Sequence, residues 1–340
     1  MSKRVSIKDI AELAGVSHST VSRALHGRGR MSDETRSRII ALAEDVGYTP
    51  DALARSLVRG ETRTIGVVVT TIADPFVVQI VEGIEDVAQE AGYSVMLSAS
   101  DNDPAREISV VDTFRERRVD AVIVTSSRVG ALYSNILKDF GAPIVLINNM
   151  QESKYLYSVS ADDVGGAQMA VEHLLARGHR RIGYIGSAER PISTRRRWQG
   201  YQRAFANHGG AIPELKVAPQ GDTDLEVGRR GLVELQAHAP SAIFAYNDAT
   251  AFGVMLAARE YGIDIPRQLS LVGFDDIQVT EFVTPTLTTI RQPRKAMGRA
   301  AMEMVLALLQ GEDISNITMT CRLVERDSVA SYHDRVEDKL

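Results

Sequence analysis

The sequence predicts a small all-α domain followed by an α/β body built on two parallel sheets, and three observations carry that prediction. Up to about residue 60 the apolar residues recur only at helical spacing. From Thr64 onward, short β-branched runs alternate with amphipathic helices. After Asp162 the alternation starts afresh, so a second sheet follows the first.

In the first domain Ile7, Ile10, Ala11 and Ala14 share one helical face, Val21 and Leu25 another, and Ile39, Ile40, Ala43 and Val46 a third. In the body, TIGVVV is a strand, a helix runs from Pro75 to Ala91, YSVML is a strand, a helix spans 105 to 118, and AVIVT and PIVLI are strands. The second series comprises a helix ending at Arg177, the strand RIGYIG, a helix over 194 to 207, AIFAY, a helix from Asp248 to Tyr261, and LSLVGF. LTTI and a helix from Pro293 to Gln310 then follow without another full unit, so the ends of the two halves are exchanged. The last ten residues, Ser331 to Leu340, form a polar tail.

The 340 residues, 44% of them apolar, suffice for two or three domains. A single cysteine, Cys321, excludes an intrachain disulfide framework and fits a reducing compartment. The start MSKRVSIKDI has no apolar signal core and no segment is long enough to span a membrane, so a cytoplasmic protein is expected. The net charge of −5 is unevenly spread: residues 1–60 hold ten Lys/Arg against seven Asp/Glu, whereas the rest hold 29 against 37. A basic head on an acidic body suggests that the head meets a polyanion.

The run DNDPARE begins like a calcium loop, but Arg106 stands where glycine is required and Asp112 where the closing glutamate belongs. A capped helix start accounts for it better. The seven histidines have no paired ligand spacing, and neither a phosphate-cradling glycine loop nor a nucleophile elbow is present. No catalytic residue, metal or cofactor is therefore expected, and the protein does not read as an enzyme.

The first stretch with chemistry is IKDIAELAGVSHSTVSRALHG, residues 7–27. Gly15 sits where a left-handed turn ends the first helix, and Ser17 is placed to cap the second. With Val21 and Leu25 facing inward, His18, Ser19, Ser22 and Arg23 point out. That is the construction of a helix-turn-helix, whose exposed helix enters the major groove, although a plain helical hairpin shares the pattern. The second stretch is PDALARSLVRG, residues 50–60: proline, a capping aspartate and helix formers, ended by glycine after barely two turns. Alone in water such a short helix is marginal. It is either a conditional helix or a linker whose Leu53 and Leu57 pack on the body.

IKDIAELAGVSHSTVSRALHG and SDETRSRIIALAEDVGYTPDALARSL, in register, together resemble the lac/galactose repressor family of bacterial transcription regulators. The resemblance continues through RTIGVVV, DPF, SVSADD, HLLARGHRRIGYI, NDATAFG, LVGFDD and PTLTTIRQP, nearly the whole chain. It implies a DNA-binding headpiece over residues 1–49, a hinge helix over 50–61 and an effector-binding core over 62–330. That core would be periplasmic-binding-protein-like, with two doubly wound parallel-sheet subdomains and crossovers near 160, 290 and 320. The implied partners are double-stranded operator DNA, a small-molecule effector and a second copy, as a homodimer or a tetramer made of two dimers. Ser17, His18, Ser19, Thr20, Ser22 and Arg23 would face DNA. In such a hinge, formed when two copies meet in the minor groove, Leu57 is the wedge that parts a base step, Ala54 permits close approach and Arg55 adds a DNA contact.

By the same resemblance a sugar in the cleft is contacted by Phe76, Asn149, Asp162, Arg197, Asn247, Asp275 and Gln292. Phe76 could equally pack on Ile80, and the other role of Asn247 is helix capping. Arg195 and Arg196 read as solvated. Many relatives carry arginine where this chain has Asn149, which removes a bidentate donor and points away from a phosphorylated sugar. Control by a protein partner or corepressor, or a solute-binding protein without DNA function, are the competing readings.

Overall fold

The computed structural model describes residues 5–25, 29–48, 61–127, 129, 141–149, 157–212 and 215–332. The expected hinge helix, with Ala54, Arg55 and Leu57, lies outside them, as does the tail beyond residue 332. The chain divides into two units, Met1–Arg63 and Thr64–Leu340.

In the first unit α1 (Ile7–Ala14), α2 (His18–Leu25) and α3 (Asp33–Asp45) enclose a core of Ile10, Ala11, Val21, Ala24, Ile39 and Ala43. Ser6 and Asp9 form a reciprocal capping box on α1 and Ser32 caps α3, each cap being worth about 1 kcal/mol. One expectation about facing is corrected: Ile40 is 38% exposed, whereas Leu25 packs against the core beside Val21 and the fully buried Ala24. So small a core takes one stripe per helix; on α3 Ile39 and Ala43 fill it, and Ile40 is rotated about 100° away.

In the second unit one sheet contains β1 (Thr64–Val69), β2 (Ser94–Ala99), β3 (Ala121–Thr125), β4 (Ile144–Ile147), β5 (Tyr157–Ala161) and β11 (Ile317–Met319). Their order is β11-β5-β4-β3-β1-β2. The other contains β6 (Ile182–Ile185), β7 (Lys216–Val217), β8 (Ala242–Ala245), β9 (Ser270–Asp275), β10 (Thr288–Arg291) and β12 (Arg322–Val324), in the order β12-β10-β9-β8-β6-β7. All pairings are parallel except that of β10 with β12. β3, β4, β6, β8 and β9 are buried at every residue, as strands covered by helices on both faces must be.

Helices α4 (Pro75–Glu90) and α5 (Pro104–Glu116) belong with the first sheet; α6 (Asp163–Ala176), α7 (Pro191–Asn207), α8 (Asp224–Gln236) and α9 (Asp248–Glu260) belong with the second. The chain passes between subdomains after Ala161, again between β10 and α10 (Arg294–Leu309), and again between β11 and β12. α10 returns to the first subdomain because it packs on α4 through two glycines. A Cβ at Gly83 would lie 2.1 Å from the Lys295 carbonyl oxygen, and one at Gly298 2.0 Å from that of Ile80.

The sequence reading starts α7 three residues late and omits α8, β5 and the short strands β7, β11 and β12. Pro191 takes the first turn of α7, where its missing N–H costs nothing. In α8, Gly228 and Gly231 interrupt the apolar stripe of Val227, Leu232 and Leu235. In β5 the buried Ser158 and Ser160 hide the β pattern.

Candidate functional site

Two regions concentrate polar side chains for a ligand. In the first unit, Gly15 adopts φ +66° and ends α1, and the Thr20 amide donates to Ser17 Oγ at 3.2 Å, which starts α2. Ser17 Oγ also lies 2.9 Å from Ser19 Oγ and 2.8 Å from Thr20 Oγ1. His18, Ser19 and Arg23 are exposed, with Thr20 and Ser22 half-buried. Arg23 Nε donates to the Ser19 carbonyl at 3.2 Å, which lays the guanidinium along the exposed face of α2.

The second region follows from topology. In each sheet the winding reverses, between β1 and β3 and between β6 and β8, and loops leaving the carboxyl ends of such strands diverge to leave a crevice. A cavity of about 360 Å³ opens there. Phe76, Arg197, Asn247, Asp275 and Gln292 all line it. Asn149 lines an adjoining chamber instead. Asp162 lines neither, and this is a correction: it accepts from the Gly165 amide at 2.9 Å as the cap of α6, which turns Asp163 to the cavity. Phe76 and Asn247 each line the cavity while also serving the fold. Phe76 joins the core with Ile80 while lining the cavity. Asn247 caps α9 through Thr250 and donates to Asp224 Oδ2 at 2.8 Å.

Arg197 is 4% exposed. Its Nε donates to Asp163 Oδ1 at 2.9 Å, Nη1 donates to the Tyr246 carbonyl, and Nη2 lies 4.0 Å from Asp275 Oδ1. The guanidinium stacks on Phe274, 3.7 Å from the ring centroid, with the Tyr246 ring at 4.5 Å. Burial works against its charge, but Asp163, Tyr246 and Asp275 outweigh that and hold it protonated. Of its neighbours Arg195 is exposed, while Arg196 is half-buried with an unpartnered Nε, so only Arg195 is solvated as expected.

Asp275 accepts from Gln292 Nε2 at 2.7 Å, and Gln292 Oε1 accepts from Asn148 Nδ2 at 3.0 Å. The line Asn148–Gln292–Asp275 thus runs from the end of β4 in one subdomain to the end of β9 in the other. Burial pushes the Asp275 carboxyl up to about 7, against the pull of Arg197, Arg294 and the Gln292 hydrogen bond. Asp74 is also raised, chiefly by burial. Six carboxylates and two guanidiniums line the cavity, so it offers mainly acceptors. Such a surface suits a neutral molecule rich in hydroxyl donors and repels an anion. Asp74, Asp163, Tyr246 and Asn148 were missed by sequence reasoning; the one available signal was the adjacency of Asp163 to a capping residue. Among the described residues no cluster of His, Cys, Asp and Glu is arranged to hold a metal, and no helix is long and apolar enough to cross a membrane.

Residues 6–51 match the model of bacterial regulatory proteins of the lacI family, and residues 171–329 that of the periplasmic binding protein-like domain. The HTH-type transcriptional repressor CytR of Escherichia coli (strain K12) is 35% identical over 327 residues, which cover 95% of this chain and 96% of that protein. The chain belongs to the lacI family. Its fold is correspondingly similar to the lac repressor dimer bound to operator and the anti-inducer ONPF, with a TM-score of 0.85 at 26% identity over 96% of this chain and all of that one. A LacI family transcriptional regulator from Enterococcus faecium with bound ribose matches with a TM-score of 0.71 at 28% identity, covering 79% of this chain and 99% of the other. The helix-turn-helix, set against a plain helical hairpin in the sequence, is thus the lacI-family DNA-binding domain.

Proposed function

We propose that this lacI-family protein is a transcriptional repressor whose affinity for double-stranded operator DNA is set by a small carbohydrate or other polyol bound in the interdomain cleft. The observation that carries the reading is the array of Arg197, Asp163, Asp275, Gln292 and Asn148, which reaches across both subdomains. A ligand held by groups from both sides favours one arrangement of the subdomains, and that preference is the coupling free energy a regulator needs. The operator in the lac repressor neighbour and the ribose in the Enterococcus faecium neighbour support the two ligand classes.

In this reading α2 enters the major groove, with His18 and Ser19 nearest the base edges, Arg23 on guanine or phosphate, and Ser17, Thr20 and Ser22 along the backbone. Residues 50–61 form the hinge, in which Leu57 parts a base step, Ala54 allows close approach and Arg55 adds a phosphate contact. A homodimer is supported by the lac repressor dimer and by exposed apolar side chains: Phe282 is 73% exposed, and Leu256 and Val279 border an open cavity of about 560 Å³.

A thermal-shift screen of neutral sugars, followed by gel shift on operator DNA with each hit, tests the reading. A sugar that raises the melting temperature should change operator binding, and Asp275→Ala should remove that response. A response that persists in Asp275→Ala at wild-type sugar concentrations places the effector elsewhere. For the hinge, Leu57→Ala should weaken operator binding while sugar affinity stays unchanged; equal operator binding would return the segment to a plain linker.

A further inference from the structure

Arg294, the first residue of α10, is 4% exposed and lines neither the cavity nor its adjoining chamber. Its backbone belongs to the first subdomain, because α10 packs on α4. From there its Nη1 donates to the Pro75 carbonyl at 3.3 Å, at the start of α4. Its Nη2 donates to the Asp276 carbonyl at 2.6 Å, directly after β9 of the second subdomain. One planar guanidinium thus spans both subdomains. The two carbonyls it holds adjoin Phe76 and Asp275, which line the cavity, one from each subdomain.

The contact at Asp276 grips a strained turn. Asp275 and Asp276 take φ of +115° and +56°, a left-handed pair without glycine, which lasts only where its surroundings hold it. The Asp276 carboxylate accepts from Arg326 Nη2 at 2.8 Å and from Arg291 Nε, residues that adjoin two of the crossovers. Arg294 adds a contact to the backbone itself, from the first subdomain. As packing alone the arrangement is unfavourable. Burial works against the charge of Arg294, attraction from Asp275 and Asp248 offsets that only in part, and Nε has no hydrogen-bond partner. A buried ion can often be replaced by apolar side chains with no loss of stability. An apolar side chain, however, cannot fix the separation of two carbonyls, because only a hydrogen bond is confined to a narrow range of distance and angle.

We propose that Arg294 is a positioning residue that sets the angle between the two subdomains by tying the start of α4 to the end of β9. The subdomains are otherwise joined through the three crossovers, about which they can rotate. A rotation that changes the separation of Pro75 and Asp276 must break one of the two bonds of the guanidinium. That leaves a buried charge short of an acceptor, whereas the Asp276 carboxylate keeps Arg291 and Arg326 within the second subdomain. The inference goes beyond the sugar reading, since it concerns the arrangement that the ligand-free protein holds.

The test reads the angle directly and uses neither sugar nor DNA, so its outcome is independent of the effector reading. In a Cys321→Ser background of the full-length protein, nitroxide spin labels are placed at Gln89→Cys on α4 and Glu234→Cys on α8, both exposed positions. Labelled protein is mixed with an excess of unlabelled protein, so that pulsed-resonance distances are read within one chain. With Arg294 in place the distribution should show one narrow distance. Arg294→Lys keeps the charge but loses the planar pair of donors, and Arg294→Met keeps the bulk alone. Each should move at least about a tenth of the population to a second distance. Urea midpoints check that both variants are folded, and should Arg294→Met fail to fold, Arg294→Lys decides alone. The same distribution in wild type and the folded variants overturns the proposal, whatever their midpoints, and leaves Arg294 a structural residue only.

Discussion

Arg23 on α2 and Arg197 on α7 are the same side chain under opposite conditions. Arg23 is exposed, and among the described residues its Nε donates to the Ser19 carbonyl within its own helix. Arg197 is buried, engages Asp163 and the Tyr246 carbonyl, and stacks on Phe274. An arginine that meets a polyanion arriving from solvent can stay hydrated until contact, because the phosphate supplies the counter-charge. One on the floor of a cleft has lost its water already, and the protein must supply the partners before any ligand comes. In the proposed reading Arg23 serves binding alone, whereas Arg197 serves the fold and the ligand together.

That contrast is open to direct attack. The largest effect should come from Arg197→Ala, which leaves the half-buried Asp163 and the buried Asp275 without their cation; about 3–5 kcal/mol of stability should go, together with the sugar response. Urea denaturation measures it, and a wild-type midpoint would mean that the two arginines do not differ as argued. Next, Arg23→Ala should cost about 1–3 kcal/mol of operator binding with no change in melting temperature. A destabilised protein with intact operator affinity would reverse the assignment.

The smallest effect concerns Asp275, whose carboxyl is pushed up to about 7 by burial. Hydroxyl donors bond best to the ionised form, so sugar affinity should rise about tenfold from pH 6 to pH 8, and Asp275→Asn should flatten the profile. Stability without ligand runs the other way. Between the ordinary carboxylate range and about 7 the folded state holds a proton that the unfolded state has released, so stability falls as pH rises through that window. The buried Asp248, also raised by burial, adds to the same slope. Titration calorimetry and urea midpoints across pH 5 to 8 read the two opposite trends.

Some of the cleft can be read along the chain and some cannot. Asp275 stands at the end of the apolar run LSLVGF, so its position at the carboxyl end of a strand is a local fact. Arg197 is one of three consecutive arginines, and nothing local separates it from Arg195 and Arg196; the family resemblance alone singles it out. Asp162 and Asp163 are chemically identical neighbours, and the cap of α6 takes the first. α8 escaped notice because glycines needed for close packing dilute its periodicity: a Cβ at Gly228 would meet the Thr250 carbonyl oxygen at 1.9 Å. The property that hides the helix in the sequence is thus the one that seats it against α9.

The sequence by itself determined what depends on short range: the helical headpiece with its cap at Ser17, the strand-helix alternation of the body, and the restart after Asp162. Each rests on hydrogen bonds and apolar spacing within a few residues, which the order of amino acids specifies directly. Tertiary structure alone decided which of two adjacent polar residues faces the cleft. Asp163 lines it and Asp162 does not, while Asn148 lines both chambers and Asn149 only the second. Consecutive side chains diverge by about 100° on a helix and about 180° on a strand, so a choice between neighbours depends on the direction in which the cleft lies. That direction is set by the second sheet, whose strands come from residues more than a hundred positions along the chain from β1.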